Sequence, residues 1–184
     1  MQLVFSTDNS IISVLIKYFT GESWLKFARV SHAALRFGGN EDKWMVEAIK
    51  EGFCANWWYR FNKQTNVKFQ FDILDLDETV LEDIIDECID EFALFKYDFR
   101  SILGLLIIII WYKLTGKKMS NPFGSKNELT CTEVIYKIFK RVEAKTGVKY
   151  FEDQNPETIF PEDMLRQCES TSERFRKIYV RANE

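Results

Sequence analysis

Arg29-Val30-Ser31-His32-Ala33-Ala34-Leu35-Arg36-Phe37, then Gly38-Gly39-Asn40, then Lys43-Trp44-Met45-Val46-Glu47-Ala48-Ile49, reads as two short strands joined by a tight turn. Gly-Asn supplies the positive φ angles that a two-residue hairpin turn demands. With Gly39 and Asn40 as the turn, Gly38 faces Glu41 and the same register sets His32 directly opposite Glu47. Directly opposed residues share a face, with Cβ atoms about 5 Å apart. His32 is the one histidine of the chain, so chemistry that needs an imidazole has to happen here. A neighbouring carboxylate fixes the ring's tautomer and favours its charged form. The plainer alternative is a structural histidine in a hairpin, and only a partner elsewhere in the chain can decide between the two.

The 184 residues suit a single domain spanning 1–184, large enough to bury a full core. A net charge of −3 argues against a dedicated nucleic-acid binder. Acids concentrate between Asp72 and Asp98, while Lys137, Lys140, Arg141, Lys145 and Lys149 read as a solvated basic helix face. Cys54, Cys88, Cys131 and Cys168 lie far apart, and with one histidine they cannot assemble the usual zinc spacings, so no metal is expected. The first residues, Met-Gln-Leu-Val-Phe-Ser, lack a basic segment followed by an apolar one. Reduced thiols and a cytoplasmic site of folding are therefore expected.

Gln2 to Ser6 reads as an opening strand, followed by a helix over Ile11–Phe19 capped from Asp8-Asn9-Ser10. The aromatic-rich segment Gly52–Arg60 reads as core or pocket wall. Val67 to Ile73 alternates as a half-buried strand. Asp77 then caps a helix whose stripe Val80, Leu81, Ile84, Ile85, Cys88, Ile89 and Phe92 places Cys88 in the core. Cys54 and Cys168 also read as structural. Ile102 to Leu114 is the most apolar run, yet too short to span a bilayer. It predicts a buried helix, with insertion at a membrane surface as the alternative, since Trp111, Tyr112, Lys113, Lys117 and Lys118 suit a headgroup region. Leu114–Lys118 is not a phosphate loop, because the upstream glycine and the hydroxyl after the lysine are missing.

Thr130 and Glu133 form a T-x-x-E capping box ahead of the apolar set Val134, Ile135, Ile138, Phe139 and Val142. Cys131 thus falls in a first helical turn, where unpaired N–H groups and the macrodipole favour negative charge. A thiol there has a lowered pKa, and the same N–H groups can donate to an oxyanion. Of the four cysteines, only this one has a sequence context that predicts activation.

Taken together, Phe5-Ser6 with its following helix, Ser31-His32-Ala33-Ala34-Leu35, Val46-Glu47-Ala48 with Gly52, Thr130-Cys131-Thr132-Glu133, and Phe160-Pro161-Glu162-Asp163-Met164-Leu165 resemble a known family. The chain resembles the circularly permuted papain-like fold of the NlpC-like superfamily, nearest its YiiX-like branch, with lecithin retinol acyltransferase as a more distant relative. In that branch the histidine strand and the third polar residue precede the cysteine helix. The family often has Ser where this chain has Thr132, and the apolar run is greasier than usual. The resemblance implies an α+β papain-like domain whose cysteine helix packs on an antiparallel sheet. It implies a thiol hydrolase in which Cys131 is the nucleophile, His32 the base and Glu47 its orienting carboxylate. Thr132 and Tyr97 are expected near the oxyanion or substrate. No cofactor is required. A cell-wall peptide amide is the first substrate candidate, which, given a cytoplasmic start, suits delivery by a phage particle or a lysis event. The alternatives are acyl transfer or thioester hydrolysis on a lipid at a membrane surface, touched peripherally through Ile102–Leu114, and a catalytically silent module, for example in a virion.

Overall fold

Stretches that alternate every second residue become strands here, and stretches with three-and-four spacing become helices. A computed structural model of the protein describes residues 1–20, 27–38, 44–49, 52–92, 96–97, 104, 107, 110–111, 114–115, 128–156 and 159–180. Strand β1 (Gln2–Thr7) leads into α1 (Ile11–Thr20), then β2 (His32–Phe37), β3 (Trp44–Ile49) and β4 (Gly52–Trp57). Helix α2 (Trp58–Gln64), β5 (Asn66–Ile73) and α3 (Glu78–Phe92) follow. The remainder comprises β6 (Lys96–Tyr97), β7 (Glu128–Leu129), α4 (Cys131–Thr146), α5 (Pro161–Ser170) and β8 (Phe175–Val180). Six strands form one sheet in the order β4-β3-β2-β1-β5-β8, every neighbour antiparallel, and β6 and β7 make a separate parallel pair. The architecture is α+β, as expected.

The main core lies on one face of the sheet. Leu3, Phe5, Ala33, Leu35, Val46, Ala48 and Phe71 meet Leu81, Ile84, Ile85 and Cys88 of α3 and Val134, Ile135, Ile138 and Phe139 of α4. Each large apolar side chain sealed there contributes about 1.5–3 kcal/mol. On the opposite face a smaller cluster packs Val4, Ala34, Met45 and Val67 under Phe61 of α2. Helix α4 ends at Gly147, whose φ of 74° gives the left-handed cap that lets its N–H reach the Glu143 carbonyl at 2.8 Å. The basic residues of α4 are drawn into ion pairs: Arg141 with Glu91 and Lys145 with Asp83 tie α4 to α3, and Lys137 pairs with Glu133 on its own helix.

Three expectations are corrected. The β2–β3 ladder pairs Leu35 with Val46, Arg36 with Met45 and Phe37 with Trp44. That register is displaced by two residues from the one built on a Gly39–Asn40 turn, so Glu47 lies diagonal to His32 rather than directly across. A two-residue displacement preserves the face, because side chains alternate with period two. In the aromatic segment Phe53 is buried, but Trp57 and Tyr59 are exposed. Position is the reason: Trp57 ends β4, an edge strand, and stacks on Trp44 at 4.0 Å, while Tyr59 lies just beyond it on α2. In the apolar run, Gly104, Ile107, Ile110, Trp111, Leu114 and Thr115 are helical, and Gly104 is buried. Ile107, Trp111 and Leu114, however, are exposed, Leu114 to 74%. These three share one helix face. For them the buried-helix expectation fails, since apolar content does not say which side of a helix meets the core. No described helix is long and apolar enough to cross a membrane. The turn at Gly39–Asn40, Gly116–Lys118 and the Ser120–Ser125 segment lie outside the described residues.

Candidate active site

Helix α4 is aimed by the residues just before it. Leu129 pairs with Tyr97 in the short parallel ladder. Thr130 then occupies the N-cap with extended backbone, and its hydroxyl accepts the Glu133 N–H at 3.3 Å. The expected capping box is only half made: the Glu133 carboxylate goes to Lys137 at 2.8 Å instead. Cys131 is therefore the first helical residue, 4% exposed.

His32 opens β2. Ahead of it, the Ser31 and Ser13 hydroxyls lie 2.5 Å apart and Ser13 meets Thr7 at 3.0 Å, which fastens α1 to the strand entry. The imidazole Nε2 sits 2.8 Å from Glu47 Oε2. The other Glu47 oxygen, Oε1, accepts from Asn56 Nδ2 at 2.9 Å. On its other side the ring lies close enough to Cys131 for the two groups to dominate each other's electrostatics, so the imidazole stands between sulfur and carboxylate. With Nε2 turned to Glu47, Nδ1 is the nitrogen left for the sulfur.

The electrostatics follow from that bridge. Burial alone would lower the His32 pKa, but the Cys131 charge and hydrogen bond, followed by those of Glu47, push it up to about 10. For Cys131, burial alone would raise the pKa. The His32 charge and hydrogen bond, with backbone N–H groups of Ala33 and Thr132, outweigh it and hold the thiol below its ordinary value. Both shifts favour the charged forms, a thiolate beside an imidazolium.

One segment clamps both halves of the site. Glu162, 2% exposed, accepts the Arg29 backbone N–H at 2.8 Å and Arg29 Nε at 2.9 Å, three residues ahead of His32. The Thr132 hydroxyl, next to the cysteine, donates to the Ile159 carbonyl at 2.7 Å. Residues 159–162 thus hold the histidine strand and the cysteine helix together, which gives the Phe160-Pro161-Glu162 motif a physical reason.

Cys131, His32 and Glu47 come together. Thr132 adjoins them, with its side chain committed to Ile159 and its N–H directed at the sulfur. Tyr97 is placed by its backbone beside Leu129, two residues before Cys131, and its side chain lies outside the described residues. Sequence reasoning missed Asn56 and quoted Glu162 only within a motif, with no task assigned. Alternation along β4 could have placed Asn56 on the Glu47 face, whereas nothing local to Glu162 points to Arg29 as its partner. Among the described residues no group of three His, Cys, Asp or Glu side chains could hold a metal ion.

Fold and site together define an α+β protein in which a buried cysteine and a buried glutamate flank a half-buried histidine where a helix start meets an antiparallel sheet. Among solved structures the chain is similar to the crystal structure of the metalloprotein yiiX from Escherichia coli O157:H7, with a TM-score of 0.62 over 99% of this chain and 97% of that one. Identity is 11%, so the likeness is one of fold. No family model and no curated protein matches the sequence.

Proposed function

We propose that the protein is a thiol hydrolase of permuted papain-like type that cleaves an amide bond through Cys131, His32 and Glu47. The observation that carries this reading is the single imidazole held between the Cys131 sulfur and the Glu47 carboxylate. The thiolate attacks the carbonyl carbon, forming a C–S bond and an oxyanion that N–H groups at the start of α4 stabilise. As the C–N bond breaks, the His32 imidazolium gives its proton to the departing amine, leaving a thioester. The neutral ring then takes a proton from water, whose hydroxide releases the acid and restores the thiolate. Glu47 keeps the ring oriented throughout.

A cell-wall peptide amide is the first substrate to try. Purified protein incubated with wall-derived peptides should release a new amine, and Cys131→Ala should abolish that release. Absence of turnover, together with iodoacetamide labelling of Cys131 at pH 6 no faster than that of Cys54, would sink the enzyme reading and favour a silent binding module. A second reading, acyl transfer or thioester hydrolysis at a lipid surface, draws on the exposed face of Ile107, Trp111 and Leu114. Flotation with anionic liposomes tests it: binding lost on Trp111→Ala supports a lipid substrate, and no flotation rejects it.

A further inference from the structure

Glu47 is buried and has two oxygens with two different tasks. Oε2 meets His32 Nε2 at 2.8 Å, and Oε1 meets Asn56 Nδ2 at 2.9 Å. A carboxylate offers only acceptors, so Asn56 must present its amide nitrogen, not its oxygen. The two contacts come from different strands, β2 and β4, on either side of β3. Pinned at both oxygens, the carboxylate cannot turn about its last torsion, a rotation that is otherwise soft. We propose that Asn56 is a positioning residue that holds Glu47 in the one orientation that supports the His32 imidazolium.

The proposal rests on the thiol-hydrolase reading for its functional meaning, but not for its geometry. Glu47 faces a short roster of groups. His32 reaches it from β2, with Cys131 of α4 beyond the ring, and Cys54 stands opposite it on β4. Arg36, further along β2, is turned to Gln2 Oε1 at 2.8 Å and stacks over Trp58 at 4.0 Å. Asn56 Nδ2 also lies 3.5 Å from Cys54 Sγ, but sulfur is a weak acceptor, which leaves the Glu47 carboxylate as the principal one. Losing the amide leaves Glu47 Oε1 buried without that donor, and the carboxylate then swings toward whatever solvent it can reach. His32 loses its anchor.

Because the chain has a single histidine, NMR reads the His32 ring titration without ambiguity. Asn56→Leu removes the donor and keeps the volume, while Asn56→Gln keeps the donor and changes the volume. The His32 midpoint should fall by about one pH unit, tenfold in proton affinity, in Asn56→Leu. Cys131 alkylation at pH 6 should slow about fivefold in the same variant, by loss of thiolate. Asn56→Gln should regain most of both. A packing role predicts the reverse ranking, with Leu like the parent and Gln impaired, and that result overturns the proposal. Should Asn56→Leu fail to fold, Asn56→Ala is read the same way, and an unmoved midpoint there overturns it equally. If the midpoint depends on Asn56 but parent Cys131 shows no acid labelling, positioning stands and the hydrolase reading falls. If acid labelling is present and the midpoint ignores Asn56, the positioning proposal falls alone.

Discussion

Cys131 and Cys168 are the same side chain, 4% and 1% exposed, in two regions that treat it in opposite ways. Cys168 lies toward the end of α5, where burial and the nearby Glu169 charge push its thiol well above the ordinary value. Cys131 heads α4, where burial pulls in the same direction but the His32 charge and two backbone N–H groups reverse it. Cys88, on the packed face of α3, follows Cys168: burial raises it to about 11. Burial by itself raises a cysteine's pKa, and a helix start with an imidazole beside it lowers that of an equally buried sulfur.

Removing the imidazole should break this contrast most completely. His32→Ala should turn Cys131 into a second Cys168, slowing its alkylation at pH 6 by on the order of 100-fold, as thiolate fraction falls. Rates by mass spectrometry of each cysteine peptide check this, and an unchanged Cys131 rate would contradict the account. Next, Glu162→Ala should destabilise the fold by about 2 kcal/mol, since the Arg29 N–H and guanidinium lose a buried acceptor. Urea unfolding measures that loss, and in the folded variant Cys131 labelling should slow as the histidine strand loosens.

The pH dependence of stability should sharpen the contrast further. The His32 pKa is raised, so its stabilisation is full below the ordinary 6.5 and lost as pH rises through about 10. The Cys131 pKa is lowered, so its stabilisation is full above the ordinary 9.0 and lost as pH falls through the folded value. Over the part of the range from 6.5 to 9.0 in which folded Cys131 is a thiolate, the folded pair and the unfolded pair each hold one proton, so the two trends cancel. This pair therefore predicts a plateau there, with falls on both sides of at most about 1.4 kcal/mol per pH unit. Denaturant titrations of the protein and of Cys131→Ala/His32→Ala, compared across pH, test it; identical profiles would show that the two groups do not form a charged pair. The smallest effect belongs to the cap. Thr130→Ala should cost about 1 kcal/mol and shift Cys131 labelling only slightly, because the imidazole supplies more of the activation than the helix start.

Much of this contrast is visible in the chain before folding. Thr130 and the stripe from Val134 to Val142 mark a helix start at Cys131, and the stripe through Cys88 marks a core position. The β2–β3 register derived from Gly39–Asn40 is off by two residues, yet His32 and Glu47 still share a face, since an even displacement cannot flip a strand. Exposure was less legible. Leu114 and Trp57 are as apolar as any core residue, and only the arrangement of neighbouring elements leaves them outside.

What the sequence alone determined is local: which residues line one face, where a helix begins, and hence which cysteine heads a helix. Those depend on periods of two and 3.6 and on caps within a few residues. The tertiary structure decided the meetings: His32 with Cys131, Asn56 with Glu47, Glu162 with Arg29, and the Thr132 hydroxyl with Ile159. The partners stand from nine to more than a hundred residues apart, and what brings them together is the joint burial of the sheet against α3 and α4, a property of the whole packed core.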